Sequence, residues 1–97
     1  MLINVGRGPV IREADLVAAL NEGKLGGAVL DVFEVQPLPA DSGLRAHPNV
    51  VLTPHLAGTT EDAERAMGVM AVDTVLALIR GERPDNVVNP EIYSQET

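Results

Sequence analysis

The sequence predicts an α/β fold built on a mostly parallel sheet, and three observations carry that prediction. The 97 residues are 45% hydrophobic yet hold only Phe33 and Tyr93 as aromatics. Val, Leu, Ile, Ala and Met must therefore build the core, as they do in buried parallel strands. Three apolar runs, at 2–5, 27–32 and 49–53, are continuous rather than alternating, the pattern of strands covered on both faces. Helical periodicities and a loop, not tight hairpin turns, separate and follow them.

In order along the chain, Leu2-Ile3-Asn4-Val5 reads as a strand stopped by the turn Gly6-Arg7-Gly8-Pro9. Residues 13–22 predict a short amphipathic helix, in which Leu16, Val17 and Leu20 share a face, Ala18 and Ala19 favour the helix, and Gly23 ends it. Gly27-Ala28-Val29-Leu30-Asp31-Val32 is the second strand, after which Pro37 and Pro39 break regular structure. A proline-rich, polar loop over 36–48 leads to a third strand, Asn49-Val50-Val51-Leu52-Thr53, just before Pro54 and His55. Thr59 or Thr60 caps a helix whose first turn holds Glu61, Asp62 and Glu64, where negative charge meets the positive end of the helix dipole. The apolar rows Ala63, Met67, Met70, Thr74 and Ala71, Val75, Leu78 carry that helix to Gly81, roughly 20 residues and ~30 Å. The tail holds one more apolar run, Asn86-Val87-Val88-Asn89, and a polar end expected to fray.

Composition excludes several function classes. A net charge of −7, with seven scattered Lys and Arg, repels phosphate backbones and argues against nucleic acid. Without cysteine there is no disulfide and no thiolate chemistry, in keeping with a cytoplasmic protein. No metal site is expected. The first residues lack a basic region and reach a glycine-rich turn too soon for a signal peptide, and no apolar run approaches the ~20 residues of a membrane span.

Parallel α/β sheets bind ligands at the carboxyl ends of their strands. Arg7, Asp31 and His55 stand just past or at the ends of the three strands, so they are expected to converge on one edge. Each has a plainer reading alone: a surface arginine, a loop-capping carboxylate, a structural histidine. Their equivalent placement favours a site, because an unpartnered charge closing a buried strand costs a few kcal/mol in desolvation. A ligand is one natural partner. Neither Gly6-Arg7-Gly8 nor the glycines at 23–27 complete a G-x-G-x-x-G turn. If the sheet binds a dinucleotide, the pyrophosphate-binding βαβ unit is expected before Met1, and the chain reads as a fragment.

The strings Ile3-Asn4-Val5-Gly6-Arg7-Gly8, Gly27-Ala28-Val29-Leu30-Asp31-Val32-Phe33 and Leu52-Thr53-Pro54-His55-Leu56-Ala57-Gly58-Thr59-Thr60 resemble the D-isomer-specific 2-hydroxyacid dehydrogenases. The segment from Gly81 to Pro90 is similar to that family's return to its substrate domain. The resemblance implies the C-terminal part of a Rossmann-type NAD(P)-binding domain over 1–57, then a linking helix and tail over 58–97. It implies an oxidoreductase using NAD or NADP on a small 2-keto or D-2-hydroxy acid, homodimeric when complete, with the isolated 97 residues inactive. Arg7 would fork onto the substrate carboxylate, and His55 would be the general acid and base. Asp31 would bind the nicotinamide carboxamide, with Val5, Gly6, Arg7, His55, Leu56, Ala57 and Gly58 lining the cofactor.

One position departs from the family pattern: Gln36-Pro37 stands where Glu-Pro is usual. An amide oxygen can orient the histidine through a ring N–H but supplies no charge to the imidazolium. Glu34 reads as a solvated loop carboxylate, and His47 as a surface histidine without a role. Formate dehydrogenases resemble the chain in having Gln at this place and form one alternative. A catalytically inactive truncated product and a dinucleotide-sensing binding module are the others.

Overall fold

The computed structural model describes residues 1–94 and contains two compact units, the first Met1–Thr59 and the second beginning at Thr60. In the first unit, strands β1 (Leu2–Asn4), β2 (Ala28–Leu30) and β3 (Val50–Leu52) form one sheet in the order β1-β2-β3. Both pairings are parallel, and the register aligns Leu2, Ala28 and Val50 at one end with Asn4, Leu30 and Leu52 at the other. Helix α1 (Glu13–Asn21) connects β1 to β2. Its Leu16 and Leu20, one helical turn apart, are buried, and Gly23 closes it at φ +70°, a backbone region in which glycine has no Cβ to clash. The core comprises Leu16, Leu20, Ala28, Leu30, Phe33, Leu38 and Leu44, with Leu2, Ile11, Val17, Leu25, Val50 and Leu52 packed around it. Burying each leucine contributes about 1.5–3 kcal/mol, so a few such side chains outweigh any single surface contact.

The strands are shorter than the apolar runs that predict them, because the residues beyond Asn4, Leu30 and Leu52 turn away to form the carboxyl-edge loops. Two short helical pieces also lie in stretches expected to be irregular. Gly8–Val10 is a single 3-10 turn. Within the predicted loop over 36–48, Gly43–Ala46 forms helix α2, capped by Ser42, whose hydroxyl accepts the Leu44 N–H at 3.3 Å. Leu44 is 1% exposed, so this turn is held by burial of one side chain more than by helix propensity.

In the second unit, helix α3 (Glu61–Ile79) starts at Thr60, whose hydroxyl accepts the Ala63 N–H at 3.1 Å, and ends before Gly81 at φ +73°. The predicted amphipathic rows do not become a buried face: no residue of α3 is buried. Residues 86–89 form no strand, with Val88 fully exposed, and Pro90–Ser94 is a 3-10 turn. Arg83 stacks over the Tyr93 ring at 4.9 Å and donates to its carbonyl. The fraying expected at the C-terminus concerns a stretch whose last residues, 95–97, lie outside the described residues. No described helix is long and apolar enough to cross a membrane.

Candidate active site at the carboxyl edge of the sheet

Because all three strands run parallel, their carboxyl ends lie on one edge. The register row Asn4–Leu30–Leu52 is followed, three residues further along, by Arg7, Phe33 and His55. Neighbouring strands are ~4.8 Å apart, so the ends of β1 and β3, on either side of β2, lie about 10 Å apart, with the Arg7 and His55 loops leaving from them.

Past β1, Asn4 shapes the arginine turn. It is 8% exposed, its Nδ2 donates to the Arg7 carbonyl at 3.0 Å, and its Oδ1 accepts the Gly6 N–H at 3.1 Å. Arg7 is exposed and donates from Nη1 to the Gly6 carbonyl at 2.8 Å; among the described residues no carboxylate pairs with it. Gly8 lets the turn lie against the next loop, since a Cβ there would stand 1.9 Å from the Phe33 carbonyl oxygen and 2.7 Å from the Glu34 nitrogen. That loop is tied to α1 as well, because Glu13 Oε1 accepts the Glu34 N–H at 2.6 Å.

At the end of β2, Asp31 finds its partner within the chain. Its Oδ1 accepts the Thr53 hydroxyl at 2.6 Å and the Leu56 N–H at 3.0 Å, and its Oδ2 accepts the Ala57 N–H at 3.0 Å. Asp31 is 3% exposed, so without these donors its charge would be stranded. The Thr53 hydrogen bond, then those from Ala57 and Leu56, hold the Asp31 carboxyl below the usual carboxylate range; burial opposes them, and a positive charge on His55 adds to them. The loop-capping reading of Asp31 is thereby realised.

Past β3, the donors from Leu56 and Ala57 directly follow His55, which adopts φ +56°, a left-handed conformation uncommon outside glycine. Asp31 thus braces a backbone turn that would otherwise relax. The same turn directs His55 Nδ1 to Gln36 Oε1, 2.8 Å away. The amide oxygen, not the NH2, must face the ring if the histidine is to be protonated, because an imidazolium donates from both nitrogens. His55 and Gln36 line a cavity of about 320 Å³ with Phe33, Leu38, Arg45 and Leu52.

The structure therefore brings together Gln36 with His55, and Asp31 with the backbone of Leu56 and Ala57. Arg7 shares the edge without a hydrogen bond to either group, while Val5, Gly6 and Gly58 are exposed there. Glu34 is exposed on the loop, and His47 is half-buried, its Nδ1 accepting the Asn49 N–H at 3.2 Å as a turn cap. Asn4, Gly8, Glu13 and Thr53 are positioning residues that the motifs alone do not single out. Asn4 carries a usable signal, a polar residue closing an apolar strand, as does Thr53.

Parallel strands joined through a helix, with polar groups collected at their carboxyl ends, define part of a Rossmann-type α/β domain. The chain belongs to the D-isomer-specific 2-hydroxyacid dehydrogenases: residues 1–57 match the family model described as "D-isomer specific 2-hydroxyacid dehydrogenase, NAD binding domain". It is similar to glyoxylate/hydroxypyruvate reductase B of Escherichia fergusonii, 46% identical over 92 residues that cover 95% of this chain and 28% of that protein. Among solved structures, it resembles a D-isomer-specific 2-hydroxyacid dehydrogenase of Xanthobacter autotrophicus in complex with NADPH and MES, with a TM-score of 0.80 and 46% identity over 93% of this chain and 36% of that one. It also resembles an NADPH-dependent glyoxylate/hydroxypyruvate reductase of Sinorhizobium meliloti in complex with NADP and sulfate, with a TM-score of 0.76 and 39% identity over 91% of this chain and 28% of that one. The chain thus spans a little over a quarter of the length of the curated relatives it matches.

Proposed function

We propose that this chain supplies the proton-transfer part of an NAD(P)-dependent reductase that converts small 2-keto acids, such as glyoxylate or hydroxypyruvate, to D-2-hydroxy acids. The observation that carries the reading is His55, braced in a left-handed turn by Asp31 and oriented through Nδ1 by Gln36. With Nδ1 engaged, Nε2 is the nitrogen that exchanges a proton with substrate, donating to the keto oxygen in reduction and recovering the proton in oxidation. Arg7 has no carboxylate partner among the described residues, and its remaining N–H groups can fork onto the substrate carboxylate.

The edge fits a nicotinamide, which when bound supplies the hydride. Asp31 Oδ2 receives only the Ala57 N–H and keeps acceptor capacity for a carboxamide N–H, and a Cβ on Gly58 would meet nothing within 4 Å. Val5, Gly6 and the turn over 55–58 would line the cofactor. In this reading 1–57 is the C-terminal part of the coenzyme domain and 58–97 leads toward a substrate domain, in a cytoplasmic homodimer whose ligands are small acids. The lack of cysteine supports a cytoplasmic setting, and the charge of −7 argues against nucleic acid as a partner. The test is oxidation of NADH and NADPH by the complete protein with glyoxylate, hydroxypyruvate, pyruvate and phosphohydroxypyruvate, which is expected with at least one of them. Failure with all four acids and both cofactors overturns the proposal.

A further inference from the structure

Gln36 is exposed, and a long exposed side chain holds one pose only if its backbone is held. The loop beyond it is gripped from both sides. Inside, Leu38 is 6% exposed and sits in the core beside Leu44. Outside, Arg45, in the last turn of α2, donates from Nε to the Pro39 carbonyl at 2.8 Å and from Nη2 to the Leu38 carbonyl. The Pro39 carbonyl also accepts the Ser42 N–H at 3.1 Å, so α2 and this loop form one hydrogen-bonded unit. No carboxylate among the described residues pairs with Arg45. Its guanidinium fork is spent on two adjacent neutral carbonyls while it lines the same cavity as Gln36 and His55. Pro37 and Pro39 fix φ on either side of Leu38, so a clamp at 38–39 is transmitted stiffly to residue 36.

We propose that Arg45 is a positioning residue for the general acid: by gripping the Leu38 and Pro39 carbonyls it fixes the loop carrying Gln36 and keeps the Gln36 amide oxygen on Nδ1 of His55. This rests on the reading of Gln36 as the acceptor that orients His55. The readout is the tautomer of neutral His55, followed through its ring nitrogen resonances in 15N-labelled protein. In the wild type, Nδ1 carries the proton. In Arg45→Met, which keeps an apolar stem but has no N–H, the Nδ1 resonance moves toward that of an unprotonated nitrogen and Nε2 moves the opposite way. Arg45→Lys, a point donor that reaches one carbonyl at a time, gives a smaller displacement in the same direction. Gln36→Leu removes the acceptor and sets the full displacement. Wild-type ring resonances in Arg45→Met alongside displaced ones in Gln36→Leu overturn the proposal and leave the Gln36–His55 pairing standing. Wild-type resonances in Gln36→Leu overturn the pairing itself. If Arg45→Met does not fold, Arg45→Lys decides, and unchanged resonances there count against the clamp.

Discussion

Replacing Gln36 with glutamate tests the proton-transfer reading through its electrostatics. The Gln36 oxygen is 2.8 Å from His55 Nδ1, so a carboxylate in the same pose places its charge ~4 Å from the centre of the imidazolium. Both side chains are exposed, so water sets the dielectric, and such a pair attracts by about 1 kcal/mol. With about 1.4 kcal/mol per pH unit, this corresponds to ~0.7 unit in favour of the protonated ring. Keto-acid reduction needs imidazolium, so its alkaline limb in kcat/KM moves up by about 0.7 pH unit in Gln36→Glu; oxidation needs the neutral ring, so its acidic limb moves up by the same amount. The Debye length falls to ~3 Å in 1 M salt, and the displacement shrinks accordingly. Profiles of the two proteins that superimpose at low salt, or a limb that moves down, refute the reasoning.

Three further outcomes follow from the packing around the site. Gly8→Ala drives a methyl into the Phe33 carbonyl and Glu34 nitrogen, so urea unfolding is expected to show a loss of about 1–3 kcal/mol, and the Arg7 turn to shift. Leu44→Ala, at a residue 1% exposed, costs about 2–5 kcal/mol and lowers the urea midpoint sharply, which a midpoint within error of wild type would contradict. Asp31→Asn bears on pH. The folded-state carboxyl titrates below its usual 3.8, so its contribution is present above that value and is lost as pH falls through the lower folded value. Wild-type stability therefore declines on acidification below 3.8 by a component absent from Asp31→Asn, as thermal melts of both proteins at pH 3 and pH 6 would reveal.

Much of the fold is legible in local sequence. Continuous apolar runs locate the three strands, and Thr60 and Gly81 bracket α3, because strand burial and helix capping are written into neighbouring residues. Helix α2 is not legible, since four residues in a proline-rich stretch carry no periodicity and are held by the distant core that receives Leu44. The rows on α3 are readable as a pattern, but a pattern does not say what covers a face, and no residue of the helix is fully buried. At the site, the spacing past each strand was enough to predict a shared edge for Arg7, Asp31 and His55. The partner of Asp31 was not predictable, because the Thr53 hydroxyl and two backbone N–H groups lie more than twenty residues away in sequence. Gln36 is the intermediate case: its departure from the family pattern was visible, and its contact with His55 depends on the loop that the Leu38 burial and Arg45 hold in place.

The close approach of Gly8 to Phe33 and Glu34 has a consequence for how such chains can diverge. Two surface turns, ordinarily free to lengthen independently, are here interlocked backbone to backbone, so an insertion in either dislodges its neighbour. Extra residues are expected to be tolerated instead in the exposed turn Glu22–Lys24, which precedes β2 and so lies at the end of that strand away from the active edge.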